Sequence, residues 1–126
     1  MSVQGATNRK GSLLEGQRSL LRAIRLEDLD QAQSILGENP DSVLEIDPTT
    51  RETGLHVSAK NALGEFVDAI LESPSVDFSL QDARGYDVLQ SAMESLDQTI
   101  VQKIHSAMSE RAPHLLNNPP HLTADQ

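Results

Sequence analysis

Leucines recur at Leu20, Leu55 and Leu89, a period of about 34 residues, and the residues after each repeat in kind. Leu20-Leu21-Arg22-Ala23-Ile24 matches Leu55-His56-Val57-Ser58-Ala59 and Leu89-Gln90-Ser91-Ala92-Met93. The fourth position is small each time: Ala23, Ser58, Ala92. A small side chain there lets the two helices of one unit approach closely. A period of this length means short units that cannot bury their apolar faces alone and must stack on one another. Stacked units favour binding a partner over turning over a substrate.

A second apolar segment follows each leucine. Asp30-Gln31-Ala32-Gln33-Ser34-Ile35-Leu36 matches Glu65-Phe66-Val67-Asp68-Ala69-Ile70-Leu71 and Thr99-Ile100-Val101-Gln102-Lys103-Ile104-His105. Phe66, Val67, Ile70 and Leu71 have the spacing of one helix face. Short turns separate the segments: Leu26-Glu27-Asp28, Ala62-Leu63-Gly64 and Leu96-Asp97. Each unit therefore reads helix, tight turn, helix. Gly37-Glu38-Asn39-Pro40 and Ser73-Pro74-Ser75 end the first two units. Extended turn segments follow, Ile46 to Arg51 and Leu80 to Gly85, with Gly85 suited to a positive-φ position. Thr53 and Asp87 stand where the next helix needs an N-cap.

Composition fits one small helical domain. Aromatic residues make up 2% of the 126 residues, namely Phe66, Phe78 and Tyr86, so the core must come from Leu, Ile, Val and Ala. The absence of Cys excludes disulfides, thiolate metal sites and a Cys nucleophile. No apolar run approaches the ~20 residues that cross a bilayer, and residues 1–16 lack the apolar segment of a secretory signal. A cytoplasmic or nuclear protein is expected. Net charge is −9 but uneven: residues 1–25 hold five Lys/Arg against one acid, and residues 26–126 hold five against eighteen. The acidic body disfavours nucleic acid and anionic membrane and attracts basic partners. An Arg-rich start also occurs in mitochondrial transit peptides, but here the periodic pattern begins near Leu20, which favours a solvated tail.

Taken together, Thr53-Gly54-Leu55-His56-Val57-Ser58-Ala59 and Asp82-Ala83-Arg84-Gly85-Tyr86-Asp87-Val88-Leu89-Gln90-Ser91-Ala92 resemble the ankyrin repeat. The resemblance covers about residues 17–108. It departs from the family pattern in three places. Gly54 and Val88 occupy the slot where Pro is usual, only the second unit carries His, and Ala62 and Leu96 replace the glycine between helices. The tetratricopeptide repeat shares the period, but it calls for large aromatics that this chain lacks, and it leaves the turn at Asp82 to Gly85 unexplained. The resemblance implies an all-α fold: an ankyrin-like helix–turn–helix repeat stack, or solenoid, with short β-hairpin-like fingers. Its units run over residues 17–47, 48–81 and 82–108, between a basic tail at 1–16 and a Pro-rich, flexible tail at 109–126. Leu20, Ala23, Leu55, Ser58, Ala59, Val67, Leu71, Leu89, Ala92 and Val101 are the expected core. The implied partner-binding face comprises Thr49, Thr50, Arg51 and Glu52 on one finger, Ala83, Arg84 and Tyr86 on the next, and Lys60, Asn61, Glu94 and Ser95 on the helices.

Residues that suggest chemistry have plainer readings. By the resemblance, His56 bonds Thr and backbone to fix a turn, with no nucleophile constellation around it. His114, His121 and Asp125 have no spacing that fits a fixed-geometry metal site. Glu27, Asp28 and Asp30 lack the alternating ligands and turn glycine of a calcium loop. Leu115 and Leu116 either belong to a frayed terminus or fold back over the last helix pair. The expected function is a non-catalytic protein–protein interaction module, monomeric, without cofactor or metal. The alternative is an acidic, chaperone-like or inhibitory cap for a basic protein.

Overall fold

The computed structural model describes residues 19–117. The expected basic tail at residues 1–16, together with His121 and Asp125, lies outside them. The described chain is all-α, with seven α-helices and one 3-10 helix. In order these are α1 (Leu20–Arg25), α2 (Leu29–Glu38), the 3-10 turn Pro40–Leu44, α3 (Gly54–Lys60), α4 (Gly64–Leu71), α5 (Val88–Glu94), α6 (Gln98–Arg111) and α7 (Pro113–Asn117). Of β structure, these residues contain an isolated antiparallel bridge between Ile46 and Thr53.

Local chemistry sets the helix starts. Ser19, Thr53 and Asp87 are the N-caps of α1, α3 and α5, evenly spaced at one repeat period, and each side chain accepts the backbone N–H of the third residue after it. Such a cap contributes about 1 kcal/mol. The helix–helix turns carry Glu27, Ala62 and Leu96 at φ 53°, 58° and 58°, a left-handed conformation that favours glycine. These turn positions are not quite evenly spaced, because α1 has six residues where α3 and α5 have seven. Counted back from these turns, Leu20, Leu55 and Leu89 stand in equivalent places; counted forward from the caps, Leu21 matches Leu55 and Leu89, and Leu20 takes the place of Gly54.

Helices α3 and α4 lie between the other pairs: α3 packs on α1 and α5, and α4 on α2 and α6. Gly54 fits this contact closely. A Cβ there would stand 2.8 Å from Ile24 Cδ1 and 3.3 Å from Leu20 Cδ2. A proline would bring the same clash, which accounts for glycine at the first position of α3. Of the expected core, Leu20, Ala23, Leu55, Ser58, Ala59, Val67 and Ala92 are buried, while Leu71, Leu89 and Val101 are only partly so. Leu89 and Val101 belong to the last large helix pair, which is covered on one side. Ile24, His56, Ile70, Ile104 and Met108 complete the interior. Each large aliphatic side chain buried there contributes about 1.5–3 kcal/mol.

Helix α6 runs past the expected unit end at residue 108. Met108 is fully buried, and Arg111 Nη1 and Nη2 donate to the carbonyls of Leu71 and Ser73 at 2.7 and 2.6 Å. Helix α7 then packs on α6, with Leu115 and Leu116 against the core.

Candidate interaction surface

Two loops of like construction precede α3 and α5. In the first, Asp47 Oδ1 accepts the N–H groups of Thr49 and Thr50 at 2.7 and 3.0 Å, and Arg25 Nη2 donates to Oδ2 at 2.6 Å. Arg51 closes the turn at φ 62°, and Asp47 N–H donates to the Glu52 carbonyl at 2.9 Å. The Thr50 N–H, then the Arg25 guanidinium and the Thr49 N–H, hold the Asp47 carboxyl down at about 2.

In the second loop, Asp82 Oδ1 accepts the N–H groups of Arg84 and Tyr86, each at 2.9 Å, and Gly85 closes the turn at φ 83°. Burial pushes the Asp82 carboxyl up. The bonds from Tyr86 N–H and from Arg84 outweigh it, and the carboxyl ends below its ordinary value. Arg84 also grips Glu94 at the end of α5, through Nη1 at 2.6 Å and Nη2 at 3.0 Å, and lies 4.2 Å from the centre of the Tyr86 ring. Hydrogen bonding from Arg84 lowers Glu94, and the Glu94 and Asp82 carboxylates raise Arg84 further above its usual range.

Two bonds join the loops. Ala83 N–H donates to the Thr50 carbonyl at 2.8 Å. His56 bridges from α3: Nδ1 accepts the Thr53 N–H at 3.2 Å, and Nε2 meets the Tyr86 carbonyl at 3.0 Å. A backbone N–H can only donate and a carbonyl can only accept, so the ring hydrogen sits on Nε2.

The expected partner-binding residues divide on this surface. Thr49, Thr50 and Arg51 are exposed, and the Arg51 side chain has no partner among the described residues. Tyr86 is half-buried, and Arg84 and Glu94 are exposed but tied to each other. Asn61 Nδ2 and Ser95 Oγ donate to the carbonyls of Val57 and Ala92, so both side chains finish helices. Glu52 does not belong to the surface. It is 4% exposed, drawn inward between the Ile46–Thr53 bridge and Lys60. Lys60 Nζ lies 2.6 Å from Glu52 Oε2 but out of line for a directed hydrogen bond, so the pair is Coulombic. Asp47 and Asp82, which organise the loops, were missed as site residues. Their signal was an aspartate opening each turn segment, one repeat period apart.

A groove of about 410 Å³ lies away from these loops, between the C-terminal ends of α2 and α4, lined by Gln33, Leu36, Pro40, Glu72 and Ser73 among others. No group of three or more His, Cys, Asp or Glu with metal-holding geometry occurs among the described residues. No helix among them is long and apolar enough to cross a membrane. No family model, curated protein or solved structure matches the chain.

Proposed function

We propose that the chain is a non-catalytic protein-binding module built from three divergent ankyrin-like units, with the two loops and the exposed ends of α3 and α5 facing the partner. One observation supports this above others. The loops, built alike around Asp47 and Asp82, are fastened together through Ala83–Thr50 and His56–Tyr86. The fastening holds Thr49, Thr50, Arg51 and Tyr86 in one fixed arrangement, and a preorganised surface loses little entropy on binding. The even recurrence of the caps and the recurrent positive-φ turns support the repeat reading and its finger-like loops.

Affinity capture with wild type and with the double substitution Arg51→Ala, Tyr86→Ala tests the proposal. Both proteins should have the same circular dichroism, and only the wild type should retain its partner. Capture by both moves the site elsewhere.

A specific observation favours the acidic-cap alternative. Apart from Arg51, the charges of the loop surface pair internally, whereas Asp30, Glu65 and Glu110 on the second helices and Glu72 at the end of α4 are exposed with no partner among the described residues. A basic partner would engage those helices, and its binding would weaken steeply with salt. Salt-insensitive capture counts against it.

A further inference from the structure

A second groove, of about 390 Å³, lies between α1 and the first loop. Leu26, 64% exposed, gives it an apolar wall together with Ile46 and Pro48, and Arg22, Glu45 and Asp47 line it with charge.

Both carboxylates are already spent within the chain. Glu45 Oε2 accepts the Ser19 hydroxyl at 2.6 Å, and Oε1 accepts the Leu21 N–H at 3.1 Å. Asp47 Oδ1 accepts the Thr49 and Thr50 N–H groups, and Oδ2 accepts Arg25. The cations divide differently. Arg25 is paired with Asp47, but Arg22 is exposed and its guanidinium has no partner among the described residues. Arg51 is likewise free, and its N–H donates to the Asp47 carbonyl at 2.7 Å, which fixes it to the loop that walls the groove. The acids here are thus answered from within, and two guanidinium groups are left over. A guanidinium presents its donors as a fork that matches a carboxylate.

We propose that this groove takes a short segment of a protein partner in which an apolar side chain lies next to an Asp or Glu. The inference rests on the interaction-module reading and names the partner's chemistry. The apolar side chain packs on Leu26, Ile46 and Pro48, Arg22 pairs with the carboxylate, and Arg51 adds attraction from the loop. An isolated acid is recognised rather than an acidic run, because residues 26–126 hold five Lys/Arg against eighteen acids and repel dense negative charge. The chain's own residues 1–18 are a poor occupant, since they hold Arg9, Lys10 and Arg18 against Glu15 and bring like charge to Arg22 and Arg51. A second copy would have to bring a different face to the groove, and such a contact is not self-complementary.

The test selects a displayed library of random peptides on full-length wild type and on two double variants of unchanged helicity. One carries Arg22→Gln and Arg51→Gln, the other Arg22→Glu and Arg51→Glu. Wild type should enrich peptides with an Asp or Glu beside Leu, Ile, Val or Met. A synthetic peptide from that set should bind the Gln variant about 10-fold or more weakly, and Leu26→Asp should also weaken it. The Glu variant should enrich Lys or Arg in place of the acid. Enriched peptides without acids, or peptides that bind the Gln variant as tightly as wild type, overturn the proposal. Enrichment that appears only after Leu13→Ser, Leu14→Ser overturns it by giving the groove to the chain's own N-terminal segment. Self-association of wild type that Leu26→Asp abolishes overturns it by giving the groove to a second copy. Peptides lost with Tyr86→Ala but indifferent to both arginines keep the interaction-module reading and overturn this inference alone. No enrichment on any of these proteins removes both.

Discussion

His56 Nε2 lies 3.0 Å from the carbonyl oxygen of Tyr86, thirty residues further along the chain. The same ring accepts the Thr53 N–H through Nδ1 and is fully buried. One side chain thus completes the cap of α3 and fastens the loop before α5 to it. Removing the ring takes away both bonds and opens a cavity at the joint of two helix pairs. We expect His56→Ala to lower stability by about 2–4 kcal/mol in urea unfolding. Hydrogen exchange should show the loss in α5 as well as α3, and a loss confined to α3 would mean that the bridge carries nothing.

Leu96 is held at φ 58° with its side chain 92% exposed, so it bears backbone strain without a packing return. Leu96→Gly relieves the left-handed strain, roughly 1–2 kcal/mol, against a smaller entropic cost of glycine in the unfolded chain. A gain of about 0.5–1 kcal/mol is expected from thermal or urea unfolding. A loss of stability would show that Leu96 packs in solution. Ala62→Gly, at the equivalent turn and also at φ 58°, should behave alike.

How much of this was legible in the sequence depended on whether a residue acts locally. Thr53, Asp87 and Gly85 were readable because caps and positive-φ turns are settled within a few residues. The departures at Ala62 and Leu96 marked the turns where glycine is preferred, and the backbone there is left-handed. Matching leucine to leucine aligns the three helix–helix turns, but it hides that α1 is a residue short and that Ser19 is its cap. Glu52 was misplaced for another reason. Its burial follows from the closure of Ile46 on Thr53 and from Lys60, neither of which residue pattern alone reveals. The pairing of Arg84 with Glu94 likewise depends on where the end of α5 sits relative to the loop.

Gly54 and Gly37 make a matched pair. A Cβ on Gly54 would meet Ile24 Cδ1 at 2.8 Å, whereas one on Gly37, near the end of α2, meets nothing within 4 Å. Gly37→Ala should stabilise by about 0.5–1 kcal/mol through helix propensity. Gly54→Ala should destabilise by about 1–2 kcal/mol, because Ile24 must shift in a packed interior. Ile24→Val removes the clashing methyl, so Gly54→Ala combined with Ile24→Val should cost less than the sum of the singles. Additivity in that double-mutant cycle would place the two residues apart.

Ser58 and Ser91 are fully buried, on α3 and α5, which pack together, and the hydroxyl of each lacks a hydrogen-bond partner. A desolvated, unpaired hydroxyl costs about 1–3 kcal/mol, and alanine removes it while leaving little void. Ser58→Ala and Ser91→Ala should each raise stability by about 1 kcal/mol. Destabilisation of either would point to an ordered water between these helices, which crystallography of the protein would reveal.

Asp47 sets the acid limit of the first loop. Its carboxyl sits at about 2 in the folded chain, through the N–H groups of Thr50 and Thr49 and the Arg25 guanidinium. An unfolded aspartate titrates near 4. The folded state therefore binds fewer protons at this group than the unfolded state. Its contribution to stability is full above about pH 4 and drains away as pH falls through about 2. Asp82 and Glu94, both lowered, act in the same direction. Asp47→Asn keeps much of the shape but cannot ionise. Its urea midpoint should be lower than that of wild type at about pH 7, and the difference should shrink steadily between about pH 4 and pH 2. A difference that persists unchanged at about pH 2 would assign the effect of Asp47→Asn to geometry rather than to charge.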